Sequence, residues 1–456
     1  MLRKKKGIDM QAMRNKKEKS YGIVVFIAVI IVYHLLMREY IGDSVEFFSK
    51  FLENNTLRSV LHERYLTWTS RGIIEIPLIL LSHNMHIIVW KVCDIAVWIA
   101  LAWSLMYLTH HKNDGMVLGL ILVYPVIEMA SAGWMPTTIN YLWPLTAGCI
   151  ALVSLDKMYF GKKIYLCEAI GYLAFELFAT NFETVGVMYG CILVWYAVHF
   201  CIDRRPKIKE IVFWMLQTLI AAGNVLFALT CPGNSARKQS NISYYIKDYV
   251  QWTKIDKFIM GVDTTMQGAV GSNILFLTFV LVLGIVCCYV LNNTFCKVMS
   301  GTLMTFVATR TIFKPIMAVY FPTYNDIFDA GTKVDATNYY RFSLYFPFIV
   351  YIVLICMVVL ILLNVATNIR DGVKYAVVFV SGILTRITMG FSPTIYASSN
   401  RTYIFWDFAI LFLTVAIVIE NKEKIAGNCK MYSILKYSFL CLVCVAVVGN
   451  LMAINS

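Results

Sequence analysis

Charge is scarce in this chain. Only 15% of its 456 residues are Asp, Glu, Lys or Arg, against 59% hydrophobic residues and a mean hydropathy of +0.67. Soluble domains carry about 25% charged residues, because a folded core has to be covered by polar surface. The shortage excludes a conventional soluble fold. Long hydrophilic tails, low-complexity linkers and internal repeats are also missing, so no boundary between folded domains is drawn. No HExxH, GxSxG, P-loop or dinucleotide fingerprint occurs, which argues against an enzyme of the soluble type. The 13 cysteines do not read as a disulfide framework. Most lie inside apolar runs, where Cys behaves as a small hydrophobe, and the CxxC of Cys441 and Cys444 has no second pair at zinc spacing.

What fills the sequence is a series of apolar runs of roughly 17 to 25 residues, the length that crosses the hydrocarbon of a bilayer. The expected fold class is all-α: a polytopic transmembrane helix bundle of about 11 to 13 spans. These are placed at 21–37, 87–108, 115–135, 142–156, 164–180, 184–202, 211–230, 273–291, 298–320, 342–364, 375–391, 403–419 and 437–454. Residues 1–20 read as a basic cytoplasmic tail and 21–456 as a single transmembrane domain with outer loops 38–86 and 231–272. The run 21–37 has no small-residue cleavage site and reads as a first span, not a removed signal. The stretch 164–202 reads equally as two spans or as one re-entrant hairpin.

The net charge of +13 does not point to nucleic acid. Its basic residues cluster in short loops between apolar runs, the pattern of cytoplasmic loops facing anionic lipid. With the N-terminus inside, DRRPKIK (203–209) and NIRDGVK (368–374) also fall inside. The expected location is a cell membrane, multi-pass, with the longer and more acidic loops outside.

Charged and strongly polar residues near hydrocarbon are costly and therefore candidates for function. They gather at the outer ends of the helices. Asp43 and Glu46 follow the first span, Arg64 and Arg71 end the same loop, and Asn140 and Tyr141 sit in NYLWP. Glu183 lies in an apolar stretch without a cation nearby in sequence; Asn234 and Arg237 follow Pro232; Arg341 and Arg401 precede later spans. Convergence of these acids and arginines implies a cavity for an anionic, polar-headed substrate. Each has a plainer reading beside it. Asp43 and Glu46 also suit a solvated helix face, and Arg64, Arg71 and Arg401 suit snorkelling anchors. Asn140 and Tyr141 suit a helix cap with an interfacial aromatic. PGN (232–234) is by itself a turn signal. Glu168 and Glu176 fit interhelical pairs with Arg310 or Lys314.

Several segments carry a resemblance. TWTSR (67–71), NYLWP (140–144), NFE (181–183), CPGNSAR (231–237) and SPTIYASSNR (392–401) resemble a bacterial multi-pass membrane family of unknown function with a PGNxxR motif. That family is similar in layout to O-antigen serotype-converting glucosyltransferases, and so to the GT-C class, which takes sugars from polyprenyl-phosphate carriers. The resemblance implies a hexosyltransferase with a polyprenyl-phosphate sugar donor, a surface glycan acceptor and an extracytoplasmic active face. It implies Asp43 as general base, with Glu46 or Glu183 as the alternative or as the group orienting the acceptor. Arg237, Arg341 and Arg401 would hold the phosphate, and Asn234 would position sugar or phosphate. Many such enzymes carry two adjacent acids after the first helix; here Ser44 follows Asp43, so all three acids stay in play. Some relatives of that class use a divalent metal and others do not, and the cofactor stays open.

Readings of other classes stand beside this one. A flippase or transporter of lipid-linked saccharide needs polar residues along the inner half as well. A polysaccharide polymerase or ligase would use similar outward arginines with a lipid diphosphate donor. A non-catalytic assembly subunit would use the outer loops only as a partner surface.

Overall fold

The computed structural model describes residues 21–203, 206–291, 293–329, 341–398 and 400–456; the basic tail 1–20 lies outside them. Among the described residues the chain is all-helical, 85% helix with no strands. The helices used below are α1 (Tyr21–Leu36), α2 (Leu57–Thr67), α3 (Gly72–Ser82), α4 (Ile87–Leu108), α5 (Asp114–Val123) and α6 (Trp134–Tyr159). They continue with α7 (Leu166–Thr180), α8 (Glu183–Asp203), α9 (Ile208–Thr230), α10 (Pro232–Tyr245), α11 (Lys254–Ser272) and α12 (Ile274–Tyr289). The last are α13 (Thr294–Thr311), α14 (Lys314–Tyr320), α15 (Pro322–Asp329), α16 (Phe346–Val365), α17 (Ile369–Ile387), α18 (Ile404–Glu420) and α19 (Cys429–Asn455).

Among the described residues, eight of these helices are long and apolar enough to cross a membrane, or nine if α11 and α12, bent at 79°, form one broken span. The protein is thus a multi-pass membrane protein. Several of the other runs expected to span are shorter, interrupted or differently bounded. The run 115–135 stops at Val123, because Pro125 follows, and resumes only at Trp134. The break leaves backbone groups in apolar surroundings, and Asn450 of α19 satisfies them. Its Oδ1 accepts from Val126 N (3.0 Å), and its Nδ2 donates to the carbonyls of Leu122 and Tyr124. The run 142–156 is part of a longer helix that starts at Trp134. The run 298–320 breaks after Thr311 into α13 and α14.

Both stretches expected as outer loops contain packed helices. Within 38–86, α3 is apolar and buries Ile74, Leu78 and Ile79. Within 231–272, α11 buries one whole face, including Val262, Met266 and Val270. Neither run is apolar along its full length, so hydropathy alone reads both as loops.

Two hydrophobic cores share α18. One side of it (Phe405, Phe408, Leu411, Val415) packs among α1, α4, α5 and α6, and the other (Trp406, Ile410, Leu413, Ile417) among α11, α12, α13, α16 and α17. A helix apolar on every side belongs at such a centre. Several buried polar groups inside the bundle are paired. Asp94 accepts from Trp143 Nε1 (2.7 Å) and lies 2.9 Å from His34 Nε2; Asp407 accepts from Asn273 (2.6 Å). Lys157 donates to Glu168 at 2.7 Å, while Arg310 and Lys314 both pair with Asp329. The expected pairs of Glu168 or Glu176 with Arg310 or Lys314 therefore do not form. Glu176 is buried facing Gln217 of α9.

Candidate functional site

The site is built from turns and helix ends at one end of the bundle. The chain leaves α1 and reaches Gly42, whose φ of +116° suits only glycine and whose missing Cβ lets it lie against Gly133. Asp43 N then donates to Ala132 O at 2.9 Å. Glu39 caps the start of α6, its Oε2 accepting from Trp134 N at 2.7 Å and Met135 N at 3.3 Å, while Ser44 donates to its other oxygen. These contacts fix Asp43 beside the start of α6. Its turn runs only from Asp43 to Glu46, leaving Glu46 exposed.

A second wall comes from α2 and α3. Arg64 grips Glu75 with two bonds of 2.5 Å and lies over the rings of Phe48 and Phe51. Arg71 donates to Glu183 Oε2 through Nε (2.9 Å) and Nη2 (2.7 Å), and its guanidinium sits 3.7 Å from the centre of the Phe182 ring. Ser70 Oγ donates to the other oxygen of Glu183 at 3.1 Å. Asn181 ties the segment down: its Oδ1 accepts from Ile73 N and Ile74 N in the first turn of α3, and its Nδ2 donates to Ser70 O. Glu183, without a cation nearby in sequence, thus meets one from far along the chain.

The third wall is α10. PGN is not a turn here: Cys231 precedes the helix, and Pro232 occupies its first position, where a missing N–H costs nothing. A Cβ on Gly233 would lie 2.5 Å from Trp68 N and 2.6 Å from Tyr65 O, so glycine lets α10 sit directly on the end of α2. Asn234 Nδ2 donates to Ala228 O (2.8 Å) and Ser70 Oγ (3.2 Å), with its Oδ1 3.5 Å from Arg237 Nη2. The fourth wall is the segment before α18. Arg401 donates to Ser131 Oγ at 3.3 Å, its neighbour Asn400 donates to Glu128 at 3.0 Å, and Arg401 Nε is buried without a partner.

These walls enclose a cavity of about 1010 Å³, at the top of the roughly 300–1,000 Å³ range of ligand pockets. Asp43, Arg64, Arg71, Asn140 and Tyr141 line it, as do Glu183, Asn234, Arg237 and Arg401. Glu46 and Arg341 do not. Arg341 is exposed beside the short turn Phe342–Leu344 that leads into α16. Asn140 and Tyr141 lie in a π-helical turn inside α6 and do not cap its end; Tyr141 packs against Phe182 and Phe405 at 5.3 and 6.2 Å. Such turns recur at functional sites. Sequence reading passed over Glu39, Glu75 and Lys238, the last two lining the cavity. Glu75 carried a signal, as the lone acid of GIIEIPLIL (72–80).

The electrostatics divide the cavity. Burial pushes the Asp43 carboxyl above the usual aspartate range; Arg401 and Arg64 pull it down, and Glu46 adds to the rise. No donor among the described residues bonds that carboxylate. Burial works against the charge of Arg71, yet the Glu183 carboxylate holds its guanidinium above the ordinary arginine value. Arg237 is lowered by burial and then by neighbouring Arg71. Arg64 and Arg71 are thus each matched by a carboxylate, whereas Arg237, Lys238 and Arg401 line the cavity without an ion pair among the described residues. Among the described residues no three His, Cys, Asp or Glu side chains gather as metal ligands. Phe405 lines this cavity and also a slender apolar pocket deeper in the bundle. No protein-family model, curated protein or solved structure matches this chain.

Proposed function

We propose that this protein is a membrane glycosyltransferase of GT-C type, moving a sugar from a polyprenyl-phosphate carrier to a surface glycan at the extracytoplasmic face. One observation carries the reading. Among the described residues, Asp43 is a carboxylate without a bonded donor, and it shares a single cavity with two arginines, Arg237 and Arg401, that no carboxylate neutralises by an ion pair. Transfer from a lipid phosphate needs both functions in one place: a base for the acceptor hydroxyl and cations for the leaving phosphate.

In the proposed step the acceptor oxygen attacks the anomeric carbon of the sugar. The bond from that carbon to the phosphate oxygen breaks, its electron pair stays on the phosphate, and the hydroxyl proton passes to Asp43. Arg237 and Arg401 stabilise the phosphate as charge builds, guanidinium being suited to bidentate contact with its oxygens. Arg71 and Glu183 act as a positioning pair that keeps Ser70, and through it Asn234, against the cavity. The cavity lies at the end of the bundle opposite the basic loops around Lys112, Lys162 and Arg370, which agrees with an outward-facing site under the positive-inside rule.

The test is surface-glycan composition in cells lacking the protein and carrying Asp43→Asn, Arg237→Met or Arg401→Met. Loss of one sugar from the glycan in all three, with normal protein levels, is expected. Intact glycan in each variant would remove the reading.

A further inference from the structure

Beyond the polar cavity, a second pocket occupies the half of the bundle nearer the basic loops. It is a slender space of about 80 Å³ between α4, α6, α8, α17 and α18, several times the roughly 10–15 Å³ that one water needs. Its walls are apolar, with Leu145, Cys149, Met188 and Phe408 along its length. One charged side chain lines it, Lys374 on the second turn of α17. The Lys374 ammonium lies 5.5 Å from the Trp195 ring centre and 5.9 Å from that of Phe412. No acceptor among the described residues bonds it, and no carboxylate among them lies within 4 Å. Trp195 lines the same pocket, and its indole N–H is buried without a partner.

Two unmatched donors beside an apolar slot form a site with a defined chemistry. The Trp195 indole N–H is a buried donor that lacks an acceptor, and the half-buried Lys374 ammonium beside it adds a positive charge at the mouth of the slot. An alcohol or an alkane would leave the ammonium uncompensated, and a free inorganic anion would leave the apolar walls empty. We propose that this pocket binds a single-chain amphiphile with an anionic head, the head meeting Lys374 and Trp195 and the chain running past Cys149 toward Phe408. Asp156 on α6, Asp371 and Glu420 all act on Lys374 through space, Asp156 most strongly; it is buried with Oδ2 unbonded and lies 3.8 Å from His110 Nδ1. Its carboxylate works against an anionic head, so the site is weaker with Asp156 than without it. This inference does not depend on the chemistry proposed for the polar cavity.

The experiment is photo-crosslinking of the full chain in phosphatidylcholine nanodiscs, with a dodecyl phosphate carrying a diazirine at the chain end. Saturable labelling is expected on the α6 segment around Cys149 or the α18 segment around Phe408. Unlabelled dodecyl phosphate should compete about tenfold better than dodecanol, and inorganic phosphate alone should not compete. Lys374→Met should weaken labelling about tenfold, Asp156→Asn should strengthen it, and Arg237→Met should leave it unchanged. Should Lys374→Met fail to fold, competition on the natural chain decides the matter. Equal competition by dodecanol, labelling undiminished in folded Lys374→Met, or labelling abolished by Arg237→Met would each overturn the proposal.

Discussion

Arg71 and Glu183 stand 112 positions apart in sequence and meet through two donors at 2.7 and 2.9 Å, with the guanidinium laid over the ring of Phe182 beside Glu183. The pair clamps the loop before α3 to the first residue of α8. It is partly open to solvent, at 18% and 24% exposure, so its net worth falls below that of a fully buried pair. Arg71→Met and Glu183→Gln should each cost about 1–3 kcal/mol, and the double variant clearly less than their sum. Thermal unfolding of the four proteins in detergent measures this coupling.

Gly233→Ala places a methyl against the backbone at Trp68 and Tyr65, atoms that cannot rotate away. The start of α10 must lift from α2, carrying Asn234 and Arg237 with it. The expected cost is about 1–3 kcal/mol, with a loss of at least tenfold in sugar transfer. Melting temperature and transfer rate on the same preparation check both.

Asn181→Ala leaves two N–H groups in the first turn of α3 without their acceptor. Loss of about 1 kcal/mol is expected, with faster proteolysis between Thr67 and Gly72 as the readout.

Asp43 carries a sign that separates a base from a structural acid. Its carboxyl is raised on folding, by burial first, so the folded state holds the proton more tightly than the unfolded one. Stability from this group falls as pH rises through that window. Asp43→Asn should therefore raise the melting temperature at pH 7 and leave it unchanged at a pH low enough to protonate Asp43 in both states. The same change should cut transfer about 10²–10⁴-fold. In the natural protein the rate should fall as pH drops into the raised range.

Much of the site was legible because charge is so sparse here that each acid or arginine near an apolar run stands out. Asp43, Glu183, Arg237 and Arg401 come from four separate stretches yet line one cavity. Their partners were not legible. Nothing in sequence ties Arg71 to Glu183 or Arg64 to Glu75, since these contacts depend on how α2 and α3 fold back. Arg341 sits in a polar and aromatic context similar to that of Arg401, but the helix it precedes belongs to the core on the other side of α18. Hydropathy found the continuous apolar helices and overlooked α3 and α11, whose apolar faces are too short or one-sided for a full span. It also ran through the break at Tyr124, which Asn450 repairs from a helix more than 300 residues away.

The central claim is that the Asp43–Arg237–Arg401 cavity receives a lipid phosphate. The most direct measurement is a structure of the full chain in nanodiscs with a polyprenyl-phosphate analogue. The account predicts the phosphate within hydrogen-bond reach of Arg237 or Arg401, with Asp43 facing the same space. A carrier bound elsewhere, or a path open through both leaflets that never engages those arginines, would contradict it.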